Sequence, residues 1–271
     1  MKLVIIAQEE PIYVGPFLMR FLEENKDRIS LVALSSLRGG LFKPKGLKEY
    51  IKRIYVYWLI FEPKGFFKAL WRRIIWFSFR NLPLLDNHDF YSIRRAALKL
   101  NIPIIAINDP NDKDFLCRIR KAEPDIIFNQ SEFRLSKELL DIPKLGVINR
   151  HGSLLPKYRG RMASFWSHFD GKVYGHTIHF INEHIDAGEI IVQRKYKIKN
   201  TLPLFDVMGR IFRESYNDTI SALKIVKSKN YKSIKNLWKN KRIYKFPSIK
   251  DAIEYRKVLN KRRENEIFNK K

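Results

Sequence analysis

A single cysteine, Cys117, leaves the 271-residue chain no partner for an intramolecular disulfide and no basis for a multi-cysteine metal site. Such cysteine usage suits a reducing cytoplasm. Cys117 falls in an expected helix among basic residues, the surroundings of a structural thiol. Long apolar runs are missing too: nowhere do about 18 uncharged apolar residues follow one another, so no transmembrane helix is expected. Leu3-Val4-Ile5-Ile6-Ala7 is too short for the core of a signal peptide, lacks a cleavage site, and reads as a first buried strand. The segment after it, Gln8-Glu9-Glu10-Pro11-Ile12-Tyr13, has no G-x-G-x-x-G, which argues against a nicotinamide dinucleotide. Acidic residues are scarce: 28 Asp and Glu stand against 53 Lys and Arg, a formal charge of +25. That excess points to a polyanionic neighbour (nucleic acid, anionic lipid or a phosphate-bearing substrate) or to a lysine-rich bias of the encoding genome.

What the chain does contain is ordinary for a globular fold, with 45% hydrophobic residues. Apolar runs and helical periodicities alternate: strands at Leu3 to Ala7, Ile29 to Leu34, Ile104 to Ile107, Ile126 to Asn129 and near Val147. Helices are expected at Val14 to Glu24, Ser92 to Leu100, Asp112 to Ala122 and Ser136 to Leu140. Alternation of this kind predicts an α/β fold, a Rossmann-like, parallel-rich sheet with helices on both faces. Ligands then bind beyond the carboxyl ends of the strands. That puts Gln8 to Tyr13, Gln130 to Leu135 and Asn149 to Gly160 on one rim. Later, Tyr174 to Ile181 and Ile190 to Val192 read as strands, and Leu204 to Lys227 as a helix. We divide the chain into a catalytic domain, 1–228, and a basic carboxy-terminal extension, 229–271. The extension holds a knot at Tyr244-Lys245-Phe246-Pro247, a helix from Ile249 to Leu259, and a frayed end from Lys261.

Residues 37–87 break the alternation and read as an insertion. A helical pattern from Lys48 to Phe61 is interrupted at Pro63 and Gly65, and a second runs from Phe66 to Arg80. At 3.6 residues per turn Phe66, Phe67, Leu70, Trp71, Ile74 and Ile75 share one side, with Lys68, Arg72, Arg73 and Arg80 interleaved. A basic, aromatic-rich segment of this sort, residues 48–80, suits a peripheral membrane contact. A hairpin packed on its own domain, with arginines in solvent, accounts for the same pattern.

The most specific stretch is Asn149-Arg150-His151-Gly152-Ser153-Leu154-Leu155-Pro156-Lys157-Tyr158-Arg159-Gly160, answered by Asp186-Ala187-Gly188. In extended chain Asn149 and His151 project to the same side. Asp186 falls in a loop between two strands, where catalytic groups concentrate, although an aspartate near a glycine also serves as a turn residue. An amide, an imidazole and a carboxylate at one point suit transfer of an acyl carbon to an amine: donors meet the developing oxyanion, and a base takes the amine proton.

These segments, with Gly175-His176-Thr177-Ile178-His179, resemble the folate-dependent formyltransferases: the methionyl-tRNA, glycinamide ribonucleotide and amino-sugar N-formyltransferases. The resemblance covers about residues 1–35 and 88–225 and is strongest from Asn149 to Ile191. It implies 10-formyltetrahydrofolate as formyl donor, with no metal. Asn149 and His151 would meet the formyl oxygen, and Asp186 would orient His151 and collect the proton. Phe133, Arg134, Leu135, Ser153, Leu154, Asn182, Glu183, His184 and Ile185 would line the folate side. Gly160-Arg161-Met162-Ala163-Ser164 departs from the family's usual proline after the Arg-Gly turn and leaves the acceptor open. The roughly forty residues after Lys229, rich in lysine and arginine, are too few for the barrel of the tRNA enzymes. The resemblance therefore favours a phosphate-bearing amino sugar on a nucleotide or lipid carrier, made in the cytoplasm or at the inner face of its membrane. Methionyl-tRNA, hydrolysis of the folate, and a non-catalytic membrane- or RNA-associated relative are the alternatives. The pattern leaves the oligomeric state open.

Overall fold

The computed structural model describes residues 1–35, 46–81, 91–229 and 232–269. Both ends of the expected insertion and the last two residues lie outside these ranges. In chain order the elements are β1 (Leu3–Gln8), α1 (Val14–Asn25), β2 (Ile29–Ser35), α2 (Leu47–Phe79), α3 (Ile93–Lys99), β3 (Ile104–Ile107), α4 (Lys113–Ala122), β4 (Ile126–Gln130) and α5 (Lys137–Leu140). They continue with β5 (Val147–His151), β6 (Arg159–Gly160), α6 (Ala163–Asp170), β7 (Tyr174–Phe180), β8 (Ile190–Tyr196), α7 (Leu204–Ser228), β9 (Ile243–Tyr244) and α8 (Ile249–Phe268).

Seven strands form one sheet in the order β3-β2-β1-β4-β5-β7-β8. The first five pair in parallel, as the alternating pattern predicts. β7 and β8 join antiparallel. The difference has a simple origin: only the residues from 181 to 189 join β7 to β8, whereas a parallel neighbour needs a crossover of roughly a dozen or more. Chain direction across the sheet reverses between β1 and β4, so the crevice of such a sheet opens at their carboxyl ends.

Strand alternation decides which helices lie on which face. Leu3, Ile5 and Ala7 of β1 join the cluster made with Phe17, Leu18 and Phe21 of α1, Ile93 of α3 and Leu223 of α7. Val4 and Ile6 face Phe115, Leu116 and Ile119 of α4 and Leu139 of α5. On β5, Ile148 belongs to the α1–α7 side and Val147 to the α4–α5 side. Since side chains alternate along a strand, Asn149 and His151 share the face of Val147, and Arg150 takes the other.

A second core lies beyond the sheet. Val56, Ile60, Phe61 and Ala69 of α2 pack with Phe165 of α6, Phe205 of α7, and Ala252, Tyr255 and Leu259 of α8. α2 is broken where expected: Glu62 leaves helical geometry (φ 62°, ψ 162°) just before Pro63, which disfavours a helical residue ahead of it. Its carboxylate is held by Arg256 at 2.7 Å and Arg263 at 2.6 Å.

The carboxy-terminal end departs from the frayed segment expected of it. α8 starts at a capping box of Ser248 and Asp251 and runs unbroken to Phe268. Its basic residues do not simply point to water: Arg262 donates to the carbonyls of His168 and Phe169 at the end of α6, and Arg263 to the carbonyl of Thr201. A lysine-rich composition hid this, because arginines that satisfy helix carbonyls look the same in sequence as solvated ones. Since Leu259 is fully buried, Leu259→Ala is expected to cost about 2–5 kcal/mol in urea unfolding. Phe268→Ala, at a side chain 81% exposed, should shift stability by less than about 0.5 kcal/mol.

Candidate active site

β5 carries Asn149 and His151 to the carboxyl rim of the sheet, and the antiparallel pairing sets His179 of β7 directly opposite Asn149. The loop between β7 and β8 then brings Asp186 over both. His151 Nδ1 lies 3.6 Å from one carboxylate oxygen of Asp186, and His179 Nε2 lies 3.7 Å from the other. Asn149 Nδ2 is 3.4 Å from His179 Nε2. The three side chains singled out in the sequence therefore converge, with His179 as a fourth member.

Neighbouring groups fix the orientation of each. Arg150 Nε donates to Gln130 Oε1 at 3.1 Å, and Gln130 Nε2 in turn donates to Asn149 Oδ1 at 2.9 Å. The carbonyl side of the Asn149 amide is thereby occupied, which turns its two N–H groups toward the site; His179 receives one of them. His151 Nε2 donates to the Tyr158 carbonyl at 2.8 Å, so Nδ1 is the nitrogen that faces Asp186. His179 Nδ1 donates to the Phe180 carbonyl at 2.7 Å. Burial holds its pKa down to about 4, against the opposing pull of Asp186. The ring is neutral at physiological pH, and its Nε2 lone pair can accept from Asn149.

Asp186 sits at φ 46°, a left-handed backbone that few non-glycine residues adopt. The Gly160 amide donates to its Oδ2 at 2.7 Å. Arg159 Nε donates to the Ile185 carbonyl at 2.9 Å, and Asn236 Nδ2 to the carbonyls of Asp186 and Gly188 at 3.1 and 3.0 Å. Gly188 is required by close approach, since a Cβ there would stand 1.8 Å from the Phe180 carbonyl oxygen.

The residues expected on the folate side divide. Phe133 packs partly buried against the α4–α5 core, while Leu135 belongs to the core itself. Arg134 Nη2 donates to the Glu183 carbonyl at 2.9 Å, joining the β4 rim to the loop of Asn182, Glu183, His184 and Ile185. Asn182 Oδ1 accepts from the His184 amide at 3.0 Å, and the His184 ring lies 4.7 Å from that of Trp238. Ser153 is fully buried and its Oγ donates to the Tyr158 carbonyl at 3.3 Å. Leu154 packs over Gly175. Thr177 ties this loop down: its hydroxyl donates to the Ser153 carbonyl at 2.7 Å and accepts from the Leu155 amide at 3.1 Å.

Glu10 explains the missing glycine-rich turn. Its carboxylate accepts from the amides of Ile12, Tyr13 and Val14, each at 2.8–2.9 Å. The amides that would cradle a dinucleotide phosphate at the start of α1 are thus satisfied from within.

Residues 100–223 match a family described as formyl transferase. That stretch contains Asn149, His151 and Asp186 and is less than half of the chain. Over 136 residues it is 39% identical to methionyl-tRNA formyltransferase of Lysinibacillus sphaericus (strain C3-41), a match covering 48% of this chain and 44% of that protein. The chain thus spans less than half the length of this curated relative. Its fold is shared with phosphoribosylglycinamide formyltransferase from Anaplasma phagocytophilum (16% identity, TM-score 0.56, 84% of this chain and 88% of that one). It is also shared with a sugar N-formyltransferase from Shewanella sp. FDAARGOS_354 (15% identity, TM-score 0.53, 94% and 87%).

Sequence reasoning put Gln130 and Gly160 on the rim and quoted His179 without giving any of them a role, and it overlooked Asn236. His179 had a signal in the Thr-x-His spacing of β7; Asn236 had none, because it reaches the loop from 48 residues or more along the chain. The depressed pKa of His179 gives a pH dependence. The unfolded chain takes up a proton on this histidine near ~6.5, while the native state resists until about 4. Its contribution to stability is therefore present above that upper value and lost as pH falls through the window. The urea midpoint of the parent should drop more steeply from pH 6.5 to 4 than that of His179→Gln. Proton NMR should find the His179 ring neutral throughout the neutral range, and a titration midpoint above 6 would contradict the assignment.

Proposed function

We propose that this protein transfers a formyl group from 10-formyltetrahydrofolate to a primary amine, and that the amine belongs to an amino sugar on a nucleotide or lipid carrier. The observation that carries the reading is the convergence of Asn149, His151 and Asp186, linked through His179 by contacts of 3.4–3.7 Å. The donor supplies a formyl carbon bound to nitrogen. The residues present suit it: an amide with an uncommitted N–H, an imidazole and a carboxylate meet at the rim. They are flanked by the Phe133-Arg134-Leu135 turn and the Asn182 to Ile185 loop.

In this reading the free N–H of Asn149 donates to the formyl oxygen as negative charge grows there. Donors of this kind contribute about 10²–10³ in rate. Asp186, fixed by the Gly160 amide, takes the proton lost by the attacking amine and returns it to the departing folate nitrogen as the bond from that nitrogen to the formyl carbon breaks. General acid–base help of this kind contributes about 10²–10⁴. Neutral His179 holds the Asn149 amide without competing for that proton. We assign the catalytic domain to residues 1–228, with β9 of the extension closing its acceptor side.

The acceptor assignment draws on the wall beside Gly160. β9 pairs with β6, placing Tyr244 against Trp166 at 5.1 Å between ring centroids and Arg242 over Tyr244 at 4.8 Å. Two aromatic rings with a cation beside them suit a sugar nucleotide, through base or sugar stacking and phosphate attraction. The fold likeness to the sugar N-formyltransferase, over 94% of this chain, agrees with that choice. The 39% identity to a methionyl-tRNA formyltransferase favours a second acceptor, methionyl-tRNA. In either case we place the reaction in the cytoplasm, and for a lipid carrier at the membrane's inner face through residues 48–80.

Asn149→Ala, His151→Ala and Asp186→Ala should each lower kcat/KM by about 10²–10⁴, with the native circular dichroism spectrum kept at the assay temperature. Formyl transfer is followed by mass spectrometry on a panel of amino-sugar nucleotides and on methionyl-tRNA. Turnover of the tRNA alone would reassign the acceptor, and full activity in all three variants would remove the site.

A further inference from the structure

The outward side of α2 is unlike any other surface of the described chain. Of 19 large hydrophobic side chains exposed among the described residues, 11 lie between Leu47 and Phe77. Before the break they include Leu47, Ile51, Tyr55 and Trp58; after it Phe67, Trp71, Ile74 and Phe77, with Trp71 62% exposed. Exposure on this scale, in one contiguous element, marks an interaction surface.

The fold holds this side outward. The opposite stripe is fastened down: Trp76 Nε1 donates to the buried Glu9 carboxylate at 3.1 Å, and Arg72 Nη1 to the Ile12 carbonyl at 2.6 Å. Glu62 at the break is clamped by Arg256 and Arg263. With the inner stripe so fixed, the segment cannot roll its apolar side inward.

Charge identifies the occupant. Residues 47–80 contain eight Lys and Arg and two Glu. Both glutamates are paired with arginine, Glu49 with Arg53 and Glu62 with Arg256 and Arg263, while Lys48, Lys52, Lys64, Lys68 and Arg73 are exposed. Trp71 and Lys68 also border a cleft of about 550 Å³ that Arg20, Arg72 and Arg213 line together with one carboxylate, Asp206. An occupant must therefore be apolar beneath and anionic at its surface. A second copy of the chain brings the same positive excess, and nucleic acid offers nothing to cover so many apolar side chains.

We infer that the outward side of α2 docks on a bilayer surface rich in anionic lipid. Its apolar side chains enter the boundary between headgroups and acyl chains, and the cleft beside Trp71 takes a lipid phosphate. The segment lies on the membrane: among the described residues no helix is long and apolar enough to cross one. The cleft shares Phe17, Phe212 and Tyr216 with the α1–α7 side of the sheet, whereas Asn149 and His151 lie on the other. A phosphate seated there anchors the protein and does not react. The inference rests on the membrane-proximal part of the proposed function and is independent of formyl transfer.

The test is co-sedimentation of the full chain, without folate, with phosphatidylcholine vesicles and with vesicles in which about one-third of the lipid is phosphatidylglycerol. Binding to the anionic vesicles should exceed binding to the neutral ones by at least about tenfold, and fall as salt is raised. Trp71→Glu with Ile74→Glu, and separately Lys68→Glu with Arg213→Glu, should each reduce it at least about tenfold. Thermal melting should stay unchanged, because these side chains are solvent-exposed. Absence of vesicle binding by the parent overturns the proposal. So does equal binding to both vesicles, or a dimer in light scattering that Trp71→Glu with Ile74→Glu dissolves. Formyl transfer to a soluble acceptor is measured separately, so failure of one reading leaves the other standing.

Discussion

The hydrogen bond from the Gly160 amide to Asp186 joins three parts of the chain that are distant in sequence. It fixes the carboxylate between two imidazoles, commits the loop between β7 and β8 to one path, and fastens β6 to the site. Because β6 pairs with β9, the bond also governs where the last forty residues leave the sheet. Gly160 holds its place through backbone alone: at φ 97° any Cβ would stand 2.3 Å from the Tyr244 carbonyl oxygen. A single amide thus couples carboxylate position to the wall formed by β6 and β9.

Around that bond, the local dielectric is shaped by burial more than by charge pairing. His179 is neutral because it is enclosed, and it is enclosed because β7 lies inside the sheet between β5 and β8. Arg150 is also buried, stacked 3.6 Å above the Phe212 ring, and acts through Gln130 on the opposite face. Burying a guanidinium without a carboxylate opposes its charge. Here the cation is met by an amide oxygen and an aromatic face. The result is a rigid amide at Asn149, prepared before any ligand arrives.

Much of this was legible in the sequence, for identifiable reasons. Continuous apolar runs such as Val4 to Ala7 announced buried parallel strands, and the period of two placed Asn149 and His151 on a shared face. The turn before Pro63 followed from proline stereochemistry. Three things were hidden. The antiparallel edge depends on the length of a connection, which hydrophobic pattern does not encode. The pairing of β6 with β9 involves two residues from each strand, too few for any periodicity. The helix expected from Ile249 to Leu259 is α8, but its continuation to Phe268 was masked by arginines whose partners are carbonyls on α6 and the Glu62 carboxylate far away in the chain.

The carboxylate of Glu10 at the head of α1 has an outcome for how anions are met. In many sheets of this architecture, main-chain amides at this corner grip phosphate at close range and with little regard to salt. Here the corner is self-sealed, so phosphate groups drawn in by the positive surface must be held by lysine and arginine side chains. Such contacts are long-reaching, mobile and readily weakened by electrolyte. The protein has exchanged a fixed grip at this corner for a broad electrostatic catchment.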